Sequence, residues 1–316
     1  MGVKNFSKIF AGVEVKFAQL KNTSVAIDAS ILAYQSALCL RNISALTDSD
    51  GNSTIHINVI ISKCINFKKN DMKQFWVFDY HEKGYVNPAK VLELEKRSKI
   101  KEKAASKISE IKAESKNDLF SSDEEEEVQK QEKIKFSMTD RIINDIKFIL
   151  DCFEIPWCES PKGYEAEAIC AFLTNANICD AVWTPDTDAI IYGANKVIRD
   201  IKIKAKKHYF LYEKSAILKN ITIADLHKIA AISGCDHCEK SPKIGPKTIL
   251  KKFKDVELTQ QQLDAVKVFE KKYDVNNLTW HNLESDPITN TKKIETLFAW
   301  LKAKNFNIDR IKKQLA

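Results

Sequence analysis

The stretch from Glu165 to Asp188 constrains this chain more than any other. It reads Y-E-A-E-A-I-C-A-F-L, then a short linker, then D-A-V-W-T-P-D-T-D. Glu165 and Glu167 open an apolar helical run, and Asp186 and Asp188 repeat their spacing after a second apolar run. Four carboxylates brought together repel, each raising the others' pKa unless a cation neutralises them. Hard divalent ions such as Mg²⁺ or Mn²⁺ favour such all-oxygen surroundings. On its own the stretch also fits two unrelated, solvated acidic dipeptides. Residues two apart on a regular helix differ by about 200°. Glu165 and Glu167 therefore converge only if Glu165 stands at a frayed first turn, which Gly163 favours. In an extended segment, Asp186 and Asp188 share a side.

Other acids fall where such a cluster needs them. Val25 to Ile27 is predicted as a short strand ending in Asp28, and Phe75 to Phe78 as another ending in Asp79. Ala181 to Trp183 is a third, leading into Asp186 and Asp188. In open α/β sheets, ligands sit outside the carboxyl ends of parallel strands. A lone Asp after a strand is commonly a helix N-cap, but three strands ending this way strain that explanation. Helical periodicity flanks these strands at Met1–Leu20, Ala29–Leu40, Ile55–Phe67 and Asp140–Phe153. Thr47 to Thr54 reads as a loop, and Ile155-Pro156-Trp157 as a brief strand. Lys196–Ile203 and His208–Tyr212 alternate as a hairpin at the sheet edge. The expected fold is α/β, a central, mostly parallel sheet flanked by helices.

His81 to Lys135 differs in kind. It is rich in Lys and Glu and carries S-S-D-E-E-E-E, so it buries too little apolar surface to hold a fixed fold alone. Within it Lys90, Arg97 and Lys101 stand at helical spacing, a basic stripe suited to a phosphate backbone. A solvated mixed-charge helix fits the same pattern. Beyond Glu213 the chain turns helical: Ile223–Ile232, a loop from Gly234 to Pro246, then Lys247–Phe253. In that loop Gly245 suits a tight turn and Pro246 the first helical position. Backbone N–H groups there, backed by Lys247 and Lys251, make a general phosphate seat. Gln260 to Ala316 reads as short helices anchored by Trp280 and Trp300.

Composition narrows the class. The 316 residues carry a formal charge of +7, with the acidic run Asp123–Glu127 masking a more basic remainder. That balance favours a polyanionic partner. No run of 18 apolar residues exists, so no membrane helix is expected, and Met1–Phe10 lacks a secretory signal's apolar segment. Eight cysteines without such a signal point to reduced thiols inside a cell. Cys235 and Cys238 bracket Asp236 and His237, but no second pair stands at zinc-site spacing.

Taken in order, the motifs resemble the flap endonucleases of the XPG family of structure-specific 5′ nucleases. The likeness runs through M-G-V-x-x-F, V-A-I-D-A-S-I-L-A-Y-Q, V-F-D, K-V-L-E-L-E-K-R-S, E-A-E-A-I-C-A, T-P-D-T-D, and S-G-C-D-H-C-E followed by I-G-P-K, nearly the whole chain. It implies a 5′ nuclease (PIN-like) core over about residues 1–215, with a helical arch or acidic insertion at about 82–136. A helix–two-turn–helix region would follow over 216–316. It further implies a Mg²⁺-dependent nuclease acting at 5′ flaps and duplex–single-strand junctions in DNA. The family's seven acids fall on Asp28, Asp79, Glu165, Glu167, Asp186, Asp188 and Asp236, and its arch cations on Lys90, Arg97 and Lys101. Its gateway residues fall on Tyr34 and Arg41, and further DNA contacts on Gly2, Gly245 and Lys247.

The resemblance implies two Mg²⁺ ions, with Mn²⁺ able to substitute, and Lys90 and Arg97 acting catalytically alongside the acids. It implies a monomer working in a nucleus or a viral replication compartment. The Lys-, Ile- and Asn-rich composition suits an AT-rich genome such as a large DNA virus. Three departures stand out. Tyr80-His81-Glu82 replaces a Gly-rich tripeptide. Lys243 replaces the first Gly of the R-G-I-G-P turn, putting the family's K⁺ site there in question. No sliding-clamp motif occurs before Ala316. A non-catalytic junction binder, a 5′–3′ exonuclease and a PIN-type ribonuclease remain as alternatives.

Overall fold

The structure, a computed structural model, describes residues 2–38, 54–114, 122–135, 138–203, 206–283, 287–306 and 308–315. Arg41 and the loop predicted over 47–53 lie outside these residues. The chain gathers into two compact units, each assembled from separate stretches. The first comprises Met1–Ala29, Phe67–Glu93 and Pro156–His281. The second comprises Ser30–Asn66, Leu94–Ile155 and Asn282–Ala316.

The first unit is built on a seven-stranded sheet. Its strands are β1 (Val13–Val15), β2 (Ser24–Asp28), β3 (Lys73–Phe78), β4 (Trp157–Glu159), β5 (Ala181–Trp183), β6 (Lys196–Ile203) and β7 (Lys206–Glu213). They lie in the order β1-β7-β6-β5-β2-β3-β4. From β6 to β4 every neighbouring pair is parallel, while β6–β7 and β1–β7 are antiparallel. The mostly parallel α/β class expected from sequence is the class observed. Val25, Ala26 and Ile27 are fully buried, as are Val182 and Trp183; such unbroken apolar runs mark strands covered on both faces. Register aligns their carboxyl ends: Ile27 sits opposite Trp183, and Asp28 opposite Val77.

The helices are α1 (Phe6–Ile9), α2 (Ala29–Leu38), α3 (Ile55–Lys69), α4 (Val91–Glu114), α5 (Ser122–Lys135), α6 (Asp140–Cys152) and α7 (Ala166–Asn175). They continue as α8 (Asp188–Ile191), α9 (Lys214–Ile217), α10 (Ile223–Ser233), α11 (Ile249–Lys252), α12 (Gln260–Glu270), α13 (Pro287–Ala303) and α14 (Ile308–Leu315). In the first unit, α7 buries Ala166, Ala168, Ile169, Ala171 and Leu173 in the core shared with β2, β3 and β5. Helix α10 is capped by Thr222, whose hydroxyl accepts from the Asp225 N–H while the Asp225 carboxylate accepts from the Thr222 N–H. In the second unit, α6 is capped by Thr139 and buries Ile142, Ile146, Ile149 and Leu150. There Phe148 and Trp300 pack with ring centroids 4.9 Å apart.

Several expectations are corrected. The helix predicted over Met1–Leu20 is instead α1, β1 and a 3₁₀ turn at Phe17–Leu20. Pairing of Val13–Val15 with Tyr209–Leu211 outweighs helical periodicity there, and makes β1, not the β6–β7 hairpin, the sheet edge. The strand predicted at Ile155 begins at Trp157. Lys90 lies in a 3₁₀ turn, Pro88–Lys90, ahead of α4, so only Arg97 and Lys101 of the stripe are helical. The charged insertion is helical at 91–114 and 122–135, where Ala104 and Ile108 find burial. Pro246 does not begin a helix; residues 246–248 form a turn and α11 starts at Ile249. Trp280 and Trp300 are only partly buried.

Candidate active site

The carboxyl ends of the parallel strands hold the acids. Asp28 closes β2 and is buried; Asp79 follows β3 directly. Glu165 is the N-cap of α7, with extended φ −92° and ψ 150°, and Glu167 lies in the first turn. Gly163 just before adopts φ +86°, a left-handed conformation that suits glycine. The condition set by helix geometry, Glu165 outside the regular helix, is met. Asp186 and Asp188 meet differently from the extended segment expected, because Asp188 is the first residue of α8. The Asp186 carboxylate folds back to accept the N–H groups of Thr187 (2.5 Å) and Asp188 (3.2 Å). Asp236 stands at a tight turn closed by the Cys235 N–H donating to the Cys238 carbonyl at 3.1 Å.

One lysine ammonium enters this group. Lys90 Nζ lies 3.2 Å from Asp79 Oδ1 and 3.9 Å from Glu165 Oε1. Burial alone would lower its pKa, but Asp79, Glu165, Glu167 and Asp28 overcome that and hold it well above its ordinary value. Asp79 also accepts the Ala166 N–H at 3.1 Å, drawing the α7 N-terminus onto it. The remaining acids are under-neutralised. Burial, then Asp28 and other carboxylates, push Glu167 well above its ordinary range despite Lys90. Burial, then Asp186, Asp236 and Glu165, do the same to Asp188. Asp186 is raised chiefly by burial, with Asp236 adding to it. Asp188 Oδ1 is buried and accepts no hydrogen bond among the described residues. As the side chains lie, no three such groups among the described residues stand close enough to grip an ion.

The N-terminal segment closes one side. The Val3 N–H donates to Thr187 Oγ1 at 2.8 Å and the Lys4 N–H to the Gly234 carbonyl at 2.9 Å. A Cβ on Gly2 would collide with Asp186 Oδ1 and stand 2.6 Å from Asp188 Oδ1, and its φ is +75°. Only glycine lets the backbone pass so close to the acids.

Sequence reasoning missed three neighbours. The Tyr192 hydroxyl donates to Glu165 Oε2 at 2.9 Å, His237 Nε2 lies 3.7 Å from the same oxygen, and Thr187 anchors Val3. His237 was visible inside the C-D-H-C run; Tyr192, the C-cap of α8, carries no local signal of this contact. The DNA-contact candidates fall in both units. Gly245 and Lys247 line a cavity of about 560 Å³ with Lys8, Lys243, Pro246 and Thr248 in the first unit. Tyr34 is a half-buried residue of α2 in the second unit. Arg97 and Lys101 stand one turn apart on α4, where burial and then the Arg97 charge lower Lys101. Arg41 lies outside the described residues.

Comparison with known proteins converges on the same segments. Family models described as the XPG N-terminal domain and the XPG I-region match residues 1–104 and 154–236. Flap endonuclease 1 of Plasmodium falciparum is 30% identical over 294 residues, covering 84% of this chain. The chain spans only 43% of that relative's length. Flap endonuclease 1 of Nanoarchaeum equitans is 30% identical over 276 residues, covering 81% of this chain and 74% of its own. The solved structure of flap endonuclease-1 from Methanococcus jannaschii superposes with a TM-score of 0.71 at 25% identity, covering 98% of this chain and 96% of that one. Sequence, fold and the segments carrying the acids agree: the chain belongs to the flap endonucleases of the XPG family.

Proposed function

We propose that this chain is a Mg²⁺-dependent, structure-specific 5′ nuclease that hydrolyses phosphodiester bonds at 5′ flaps and duplex–single-strand junctions in DNA. The observation that carries this reading is Asp188 Oδ1, buried and without a hydrogen-bond donor in a pocket where carboxylates outnumber ammonium groups. Such an arrangement is unfavourable by itself and fits a hard divalent cation, whose ligands are oxygens. Asp28, Asp79 and Glu167 would hold one ion, Glu167, Asp186 and Asp188 a second, and Glu165 and Asp236 would act through water. Ions held there would supply a water nucleophile of lowered pKa and stabilisation of the leaving oxygen, and Mn²⁺ would be able to stand in for Mg²⁺.

The chain's own residues do the rest. Lys90 sits against Asp79 and Glu165 and can turn its charge to the scissile phosphate as substrate enters, with Arg97 assisting. Lys101, Tyr34, Arg41, Gly2, Gly245 and Lys247 would contact the strands, reading shape rather than base sequence. The nuclease work is assigned to about residues 1–215 and duplex holding to 216–316. The chain would act as a monomer at DNA inside the cell, in a nucleus or a viral replication compartment. No described helix is long and apolar enough to cross a membrane.

The test is cleavage of a 5′-labelled double-flap DNA by wild type and Asp188→Ala, in Mg²⁺ and in EDTA. Mg²⁺-dependent flap release by wild type alone is the expected result, with products carrying a 5′-phosphate. Product lengths separate flap incision from stepwise 5′ trimming. Tight binding without cleavage would move the assignment to a junction binder.

A further inference from the structure

Tyr80-His81-Glu82, the departure that follows Asp79, builds a feature that the carboxylate chemistry does not use. The Tyr80 and Tyr85 rings meet edge to face, 5.3 Å between centroids and 85° apart. Lys162 Nζ lies over both, 4.8 Å from the Tyr85 centroid and 5.7 Å from that of Tyr80. Glu82 holds this cation at 2.6 Å and accepts the Tyr80 hydroxyl at 2.9 Å. Both rings are partly exposed, and the Lys162–Glu82 pair is exposed at 56% and 49%.

The cluster is held in place. The Tyr80 N–H donates to the buried Ser160 Oγ at 2.8 Å, and Ser160 Oγ donates to the Tyr164 carbonyl at 3.0 Å. The loop after Asp79 is thus stapled to the loop before Glu165. A Cβ on Gly163 would first meet the Tyr85 hydroxyl, at 4.0 Å. Past that glycine the theme repeats: Tyr164 and Tyr273 pack at 5.2 Å with Lys271 Nζ 5.7 Å from the Tyr164 centroid. Partly exposed rings alternating with lysines are the surface that unpaired nucleic acid uses, bases stacking on rings and phosphates meeting cations.

We infer that Tyr80, Tyr85 and Lys162 form a stacking seat for one unpaired base of the DNA substrate, next to the carboxylate pocket. The inference rests on the nuclease reading. Lys162 covers the ring face in the free protein through an exposed ion pair, the kind most readily exchanged. An arriving strand takes Lys162 from Glu82 onto its phosphate and leaves the Tyr85 face to the base. Asp79 and Tyr80 are adjacent in the chain, as are Tyr164 and Glu165, so the seated nucleotide is registered against the acids.

The test pairs ring removal with base removal. A double-flap DNA carries one abasic site, walked through the unpaired positions. Binding is measured in EDTA and cleavage in Mg²⁺, for wild type, Tyr85→Ala, Tyr85→Phe and Lys162→Ala. At one position, base loss should weaken wild-type binding about tenfold. Tyr85→Ala should weaken binding of intact DNA equally, yet lose nothing further at that abasic position. Tyr85→Phe should behave as wild type, and Lys162→Ala should lower the salt dependence. Equal losses by Tyr85→Ala on intact and abasic DNA at every position would overturn the seat while leaving the nuclease intact. A wild type that neither binds nor cuts the flap would overturn the nuclease reading, and the seat with it.

Discussion

Two buried acidic centres in this protein solve the same electrostatic problem in opposite ways. In the second unit Asp145 is surrounded by partners: His56 Nε2 at 2.9 Å and the cations Arg141 Nη1 at 3.5 Å and Lys304 Nζ at 3.9 Å. In the first unit Lys90 serves Asp79, Glu165, Glu167 and Asp28, and burial with mutual repulsion raises Glu167, Asp186 and Asp188. A saturated carboxylate joins α3, α6 and the turn that follows α13. An unsaturated cluster keeps its binding capacity for something brought from outside. Charge balance, rather than burial or acid count, separates the Asp145 centre from the proposed active site.

The same substitution should therefore have opposite signs in the two places. Asp188→Asn should abolish cleavage, by a thousandfold or more, roughly the scale of losing one charge-stabilising group or beyond. Yet in EDTA it should raise the thermal midpoint by about 2–4 °C, because a buried, unpartnered charge is gone. Asp145→Asn should leave Arg141 and Lys304 uncompensated and cost about 3 kcal/mol in a denaturant titration. Equal signs in EDTA would break the contrast.

Lys90→Met sharpens it from the cation's side. Cleavage should fall by about a hundredfold, and the midpoint in EDTA should drop and recover on adding Mg²⁺. A midpoint unchanged in EDTA would mean that Lys90 does not balance the acids. Gly2→Ala tests how tightly the pocket is closed. The collision with Asp186 at a left-handed backbone position should cost about 2 kcal/mol, and Mg²⁺ affinity by titration should weaken about tenfold.

The smallest effect concerns a third way to bury a titratable group, which is to keep it neutral. His227 on α10 places Nε2 3.1 Å from the Ile191 carbonyl, and burial lowers its pKa below the ordinary 6.5. The unfolded chain thus binds its proton first. The stability held above pH 6.5 should decline as pH falls from there toward the lowered folded value. His227→Gln can still donate to that carbonyl and should remove this part of the decline in melts from pH 7.5 to 5. An unchanged pH profile would show that His227 is not the group responsible.

Much of the pocket was legible because its signals are local. V-A-I-D and F-W-V-F-D each state a buried strand and an acid at its exit, and parallel pairing is the arrangement that brings such exits together. The Glu165 position followed from helix angles and Gly163. Contacts between distant segments were not legible. Nothing near Val13 announces pairing with Leu211, 198 residues away along the chain. The periodicity of Phe6, Ile9 and Phe17 therefore suggested a helix. Asp186 and Asp188 were correctly joined for the wrong reason, since an Asx-type turn and a helix start bring them together. Lys243, standing where the family turn carries glycine, marked that loop as altered, and its left-handed φ of +62° is the conformation a glycine would adopt without strain.

By itself the sequence determined the acids, the strands that deliver them and the α/β class, because short-range sterics and burial patterns are written residue by residue. Tertiary structure alone decided that Lys90 leaves the basic stripe to sit among the carboxylates. It also decided that Gly2 must be bare beside Asp186, and that Tyr80, Tyr85 and Lys162 share one surface. Those outcomes depend on which distant segments come within a few ångströms of each other. Charge, clash and stacking act only at that range.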